Sequence, residues 1–347
     1  MLNTIFRNFA RATFTTTGLS IAFTAAVLLG AAAGRAVAGD SLLNVSYDPT
    51  RELYKDIGKQ FAAEWAKQNN GQQLDIKQSH GGSGTQARAV IDGLDADVVT
   101  LAMWPDTDAI RKVGLIGDGW EQRFPNNSVP YTSTIVFAVR TGNPKGIKDW
   151  PDLIKPGIEI VTPNPKTSGN GKLSFLAAWG SVTQRGGSEE QAKAFVTQLY
   201  KQAPVLDSGA RGSTVTFAEK GIGDVHLTWE NEGRLEVAEH SGEIELVYPP
   251  ISFLAEPPVA VVDVNARRKG TTDAAAAYLK FLYTPEGQEI AAKHFYRPTD
   301  AATLQRHAAD FPTLTLFPIT AVAKDWNDAY AKYFSDGAVF DSIYARK

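Results

Sequence analysis

The sequence predicts a two-lobed α/β protein, each lobe a mainly parallel sheet flanked by helices, with a cleft between the lobes. Three observations predict it: chain length, an alternation of strand-like and helix-like patterns, and two extended segments that join one series to the next. At 347 residues the chain exceeds the ~100 to 200 residues usual for one domain, and either half is large enough to bury a core. The first series opens with Leu42-Leu43-Asn44-Val45-Ser46-Tyr47, continues with Leu53, Ile57, Phe61 and Trp65 at helical spacing, and returns to strand at 74–78. A helix carrying Ala87, Val90, Ile91 and Leu94 follows, with Gly93 near its end, and then a buried-looking strand at 96–102. That βαβα rhythm calls for parallel strands covered by helices on both faces. A second series begins near Tyr131 and includes a strand at 158–161; the chain returns at 255–262. The expected lobes are 39–130 plus 253–347, and 131–252.

Residues 1–38 are set apart from the fold. They carry Arg7, Arg11 and Arg35 but no acid, an apolar stretch from Leu19 to Ala33, and Ala36-Val37-Ala38 ahead of Gly39. This is the pattern of a secretory signal peptide with small residues at its cleavage site. An uncleaved anchor is the alternative, but residues 18–34, diluted by Ser20 and Thr24, fall short of the ~20 apolar residues a span needs. Cleavage removes three of the 35 basic residues and none of the 38 acidic ones, which leaves a net charge of −6. A basic surplus suited to nucleic acid is absent. With no cysteine, disulfides, thiolate metal sites, cysteine nucleophiles and a lipid anchor are all excluded, although an oxidising compartment would permit disulfides. A diffusible exported protein is retained by an outer membrane, so a periplasm is expected. Met103 is then the only sulfur left in the chain.

Three strand-to-helix turns share an unusual composition. They are Ser79-His80-Gly81-Gly82-Ser83-Gly84-Thr85, Pro163-Asn164-Pro165-Lys166-Thr167-Ser168-Gly169-Asn170-Gly171, and Asp207-Ser208-Gly209-Ala210-Arg211-Gly212-Ser213-Thr214. The last precedes an expected helix over 215–220. In open α/β sheets such turns lie at the carboxyl ends of strands, where ligands bind. A helix N-terminus exposes backbone N–H groups and carries about half a positive charge. Glycine lets a bulky anion approach that backbone, and serine or threonine adds a hydroxyl donor. One such turn is ordinary capping; three facing one cleft point to an anion.

At these residues the chain resembles the periplasmic sulfate-binding proteins of bacterial ABC importers. The likeness runs through Leu42-Leu43-Asn44-Val45-Ser46-Tyr47-Asp48-Pro49-Thr50-Arg51-Glu52-Leu53-Tyr54, the three turns, Trp229-Glu230-Asn231-Glu232 and Tyr283-Thr284-Pro285-Glu286-Gly287-Gln288-Glu289. The resemblance implies a type II periplasmic binding protein fold, and a monomer that takes dehydrated sulfate and passes it to an inner-membrane ABC permease. It implies no cofactor, no metal and no catalytic residue. The implied donors are the backbone N–H of Ser83, the backbone and hydroxyl of Ser168, the N–H groups of Gly169, Asn170 and Ala210, and the indole N–H of Trp229. Many relatives have glycine at Asn170, so its side chain is expected at the rim. Thiosulfate-preferring relatives often carry phenylalanine at Trp229, so tryptophan favours sulfate without excluding thiosulfate. Asp48, His80 and Arg211 are read as braces that do not touch the anion. An acceptor at Asp48 would suit phosphate, which keeps a proton part of the time; the family likeness puts it outside. Glu230 to Glu232 and the lobe tips are candidates for docking the permease.

The rival readings are another tetrahedral oxyanion, phosphate or molybdate, and a serine-type hydrolase. The latter lacks support: Gly81-Gly82-Ser83-Gly84-Thr85 fails the nucleophile elbow at its last position. Gly171-Lys172-Leu173 fails the phosphate-loop pattern, and the five histidines, 80, 226, 240, 294 and 307, form no metal-ligand spacing.

Overall fold

The computed structural model describes residues 41–344; the signal-peptide reading of residues 1–38 lies outside the described residues. Strands β1 (Ser41–Tyr47), β2 (Asp75–Gly81) and β3 (Val98–Thr100) come first, and β4 (Tyr131–Thr132) and β5 (Ile135–Arg140) lead out of the first half. Then come β6 (Ile160–Pro163), β7 (Leu206–Asp207), β8 (Val225–Trp229), β9 (Ile244–Val247) and β10 (Ile251–Phe253). β11 (Val259–Val261), β12 (Arg297–Pro298) and β13 (Thr315–Phe317) complete the set.

The first sheet has the order β11-β3-β1-β2 and the second β7-β6-β8-β5-β9. β1 runs parallel to β2 and β3, and β6 parallel to β7 and β8. Antiparallel ladders enter where the chain arrives from the other lobe: β11 lies antiparallel to β3, and β5 to β8 and β9. A parallel neighbour requires a crossover connection, and a strand delivered by an extended segment does not make one.

Alternation along β1 feeds two cores. Leu42 packs with Leu53, Ile57, Phe61 and Tyr278 on one face of the sheet, while Val45 packs with Ala87, Val90, Ile110 and Trp120 on the other. The helix Arg51–Gln68 accordingly buries the stripe Leu53, Ile57, Phe61 and Trp65. The second core is organised by the helix Gly169–Thr183, buried almost along its length, as its apolar sequence demands.

The first two crossings run side by side. Ser133 N donates to Ala255 O at 3.0 Å and Ala255 N returns a bond to Ser133 O at 2.9 Å. Thr134 Oγ1 donates to Phe253 O at 2.8 Å, and Ser252 Oγ to Ile135 O at 2.8 Å. The expected assignment of all of 253–347 to the first lobe needs correction. β13 pairs with β10, and Phe317, Tyr333, Phe334 and Phe340 pack in the second core, with the last three ringing Phe175. A helix that is apolar all round needs cover on every side, and the C-terminal segment supplies part of it. The chain therefore crosses a third time, between β12 and β13.

Candidate functional site

Strand ends from both sheets converge on one small cavity. The first lobe contributes Tyr47-Asp48-Pro49 at the end of β1, Gly81-Gly82-Ser83 at the end of β2, and Ala102 after β3. The second contributes Ser168-Gly169-Asn170 after β6, Ala210 after β7, and Trp229 at the end of β8. All six residues expected to touch an anion therefore line a single space of about 10 Å³, close to the ~10 to 15 Å³ that one water-sized guest requires.

Three helices begin on its wall: Ser83–Ile91, Gly169–Thr183, and Ala210–Thr214, which runs on as a π-helical turn through Glu219. The third starts five residues before the expected 215, and Gly221, at φ +68°, follows its end. Trp229 caps a fourth, Glu230–Glu239. The backbone N–H groups of Ser83, Gly169, Asn170 and Ala210 find no acceptor among the described residues, as expected of first-turn amides. Nor does the indole N–H of Trp229, whose ring is 1% exposed and packs against Tyr47 with centroids 5.5 Å apart. Burial pushes the Tyr47 phenol well above its ordinary value, so it stays neutral.

The serines play unequal parts. Ser83 Oγ donates to Asp106 Oδ2 at 2.5 Å and accepts from Ala102 N at 3.1 Å; its hydroxyl is committed to the lobe and only its amide faces the guest. Burial raises the Asp106 carboxyl despite the Lys172 charge and the Ser83 bond. Ser168 is the reverse, and here the expectation of two donors fails. Its N–H donates to Asn164 O at 2.9 Å within the preceding turn, while its Oγ accepts from Gly171 N at 3.4 Å and keeps its proton to donate. Asn170 also differs from expectation. Its side chain is 1% exposed instead of standing at the rim: Oδ1 accepts from Ser174 Oγ at 2.9 Å, and Nδ2 is buried without an acceptor.

Of the three expected braces, Asp48 stands on the cavity wall, contrary to the reading that put it outside. Its Oδ1 accepts from Arg51 Nη2 at 2.7 Å. His80 does not line the cavity; it contacts Gln78 Oε1 at 2.9 Å and Tyr47 O at 3.5 Å, and burial, then Arg51, lowers its pKa. Arg211 also stays outside, 3.6 Å from Glu232 and 3.7 Å from Glu52. Among the described residues, the wall thus carries no cationic side chain. Glu230 to Glu232, offered for docking by their acidity, are 0%, 6% and 1% exposed; burial pushes the Glu232 carboxyl up to about 8 even beside Arg211. No group of three or more His, Cys, Asp or Glu suited to a metal occurs among the described residues.

The lobes touch at this wall. A Cβ on Gly169 would lie 3.0 Å from Ala102 Cβ and 3.4 Å from Met103 Cγ, and one on Gly82 would lie 3.4 Å from Thr167 O. Glycine there lets backbone donors from opposite lobes share one guest. The sequence places Gly81 and Gly82 in an anion-suited turn and Tyr47 and Pro49 in the string that carries the resemblance, but marks none of these four, nor Ala102, as a wall residue, although each follows or ends a strand at its carboxyl end, the position the fold reserves for ligands.

Comparison with known proteins agrees with this geometry. The chain is 55% identical over 308 residues to the sulfate-binding protein of Escherichia coli (strain K12), covering 88% of this chain and 93% of that one. It is 49% identical over 314 residues to the thiosulfate-binding protein of Pseudomonas aeruginosa, covering 90% and 94%. The solved sulfate-binding protein SubI from Mycobacterium tuberculosis H37Rv superposes with a TM-score of 0.77 at 30% identity, covering 85% of this chain and 99% of that one. The model of the bacterial extracellular solute-binding proteins matches residues 42–297, and the chain belongs to that family.

Proposed function

We propose that this chain is an exported receptor that captures one dehydrated sulfate between its lobes and delivers it to an inner-membrane ABC permease. The observation that carries the reading is the convergence of helix N-termini from both lobes, with the Trp229 indole, on a cavity of about 10 Å³ without a cationic side chain. Fully ionised sulfate offers acceptors only, which matches a wall of donors. The relatives that bind sulfate and thiosulfate support the same class of guest. Export by the N-terminal segment and residence in a periplasm complete the proposal, along with action as a monomer.

Binding rather than catalysis is favoured by the serines. Ser83 Oγ is tied to Asp106 and also accepts from the Ala102 amide, and His80 bonds neither serine, so among the described residues no serine–histidine pair is assembled. Phosphate is the second reading worth testing, because Asp48 stands on the wall and could accept from a protonated oxyanion. Calorimetric titration at pH 7 with sulfate, thiosulfate, phosphate and molybdate tests both. Tight sulfate or thiosulfate binding with weak phosphate binding is expected; tight phosphate binding with no detectable sulfate binding would replace the first reading with the second.

A further inference from the structure

Arg297 gathers the segments that pass between the lobes. It lies in β12, paired with Thr132 of β4 at the start of the first crossing. Its Nε and Nη2 donate to Glu230 Oε2 and Oε1 at 2.6 and 2.8 Å, a two-point bond that fixes orientation as well as distance. Nη2 also donates to Pro312 O at 3.0 Å, on the third crossing. Glu230 directly follows Trp229, and its N–H donates to Thr134 O at 3.0 Å, next to the Ser133–Ala255 bridge that joins the first two crossings. Asn231 extends the junction: its Nδ2 donates to Pro49 O at 3.1 Å and to Tyr296 Oη at 2.9 Å. Pro49 and Trp229 are both cavity wall.

We propose that Arg297, through its pair with Glu230, is the pivot clasp of the receptor and a positioning residue for its site. Rigid-body opening about the crossings displaces atoms in proportion to their distance from the axis. Trp229 and Pro49, tied to the crossings, keep their places, while the Ser83 and Ser168 walls separate. A buried two-point pair tolerates few geometries, so it restricts how far and in which direction the lobes swing. This role rests on the receptor reading, because it presumes that opening releases a guest.

Two variants test it. Arg297→Lys keeps the charge but loses the fork. The double variant Glu230→Leu/Arg297→Met removes both charges and leaves neither buried alone, a replacement that cores usually tolerate. The chain has no cysteine, so Lys77→Cys and Lys193→Cys, at exposed positions on opposite lobes, accept distance probes cleanly. Both variants are expected to melt cooperatively, to show a broader interprobe distance distribution without any anion, and to release sulfate about 2- to 30-fold faster in stopped-flow tryptophan fluorescence, the range typical of coupling residues. An unchanged distance distribution and off-rate, with only a lowered Tm, would make the pair a plain structural contact and overturn the proposal. If Arg297→Lys fails to fold, the double variant decides. The distance measurement needs no ligand, so a wild-type protein blind to sulfate would sink the receptor reading separately.

Discussion

Trp229→Phe separates a hydrogen-bond donor from the ring that carries it. Phenylalanine keeps an aromatic face against Tyr47, 5.5 Å away, and suits the extended backbone that hands β8 to the helix Glu230–Glu239. What it loses is the indole N–H, which has no acceptor among the described residues, together with some ring volume. A hydrogen bond to a charged acceptor is worth ~1.5 to 3 kcal/mol, so sulfate should bind about ten- to a hundredfold more weakly. The void left at a 1% exposed site should cost roughly 1 kcal/mol of stability, a Tm loss of a few degrees. Calorimetry at pH 7 reads the affinity, and thermal unfolding of the ligand-free protein reads the fold. The informative control is Arg211→Met, which deletes a cation that stands outside the cavity with Glu232 and Glu52 as its partners; affinity should move by less than about threefold, because such a charge acts through partners and screening. Should Trp229→Phe bind sulfate as the wild type does, or Arg211→Met do more damage than Trp229→Phe, uncharged donors would not be what holds the anion.

Gly169→Ala places a methyl 3.0 Å from Ala102 Cβ, an overpacking worth ~1 to 3 kcal/mol; because the clash lies between lobes, it should appear as lost sulfate affinity in calorimetry with little change in the ligand-free Tm. Ser168→Ala removes a hydroxyl donor and a helix cap worth ~0.5 to 2 kcal/mol, whereas Ser83→Ala orphans the Ala102 amide and frees Asp106; the first should weaken binding more and the second should lower Tm without matching that loss. Sulfate affinity should stay flat from about pH 5 to 8, since peptide, hydroxyl and indole donors do not titrate there; titrations at both ends and the middle check it. Stability should behave differently. Glu232 is raised from 4.5 to about 8 in the fold, so between those values the folded state holds a proton that the unfolded chain has released, and stability falls as pH rises through the window. Glu232→Gln should remove that slope, read from urea midpoints at pH 5 and pH 8.

How much of this was legible in the sequence depended on whether the deciding interaction was local. The three glycine-rich turns were, because strand ends and helix starts are written in neighbouring residues, and all three reach one cavity. The backbone donor of Ser168 was misjudged through an equally local feature: Asn164 lies four residues earlier and its carbonyl takes that N–H. The burial of Glu230, Asn231 and Glu232 could not be read from three acidic or amide side chains in a row, since it depends on Arg297, Pro49, Tyr296 and Arg211 far along the chain. The docking of residues 315–344 on the second lobe did leave a signal. Tyr333, Phe334, Phe340 and Ile343 are too apolar for a tail, and they needed a surface to cover; which lobe offered it was a property of the fold alone.

A wall without cations also bears on release. The chain carries a formal net charge of −3, so on the proposed reading long-range attraction does not hold a dianion, and a few short-range donors must outweigh its dehydration. Each helix end supplies ~0.3 to 2 kcal/mol, and each bond to the anion ~1.5 to 3 kcal/mol, but only while the donors stand within reach. On the proposed reading those donors are divided: the Ser83 amide belongs to one lobe, and the Ser168 hydroxyl, the amides of Gly169, Asn170 and Ala210, and the Trp229 indole belong to the other. In such a receptor a few ångströms of opening would break the Ser83 contacts outright and readmit water to the rest. A lysine or arginine in the cavity would follow the anion on its flexible stem and keep attracting it across that gap, since Coulomb energy falls only as the inverse of distance. Fixed peptide dipoles cannot follow. For the receptor proposed here, which would hold its guest when closed and surrender it when opened, short reach is the useful property of the donor, and the glycines that let the two backbones meet at Gly169 and Gly82 are the sequence feature that makes it possible.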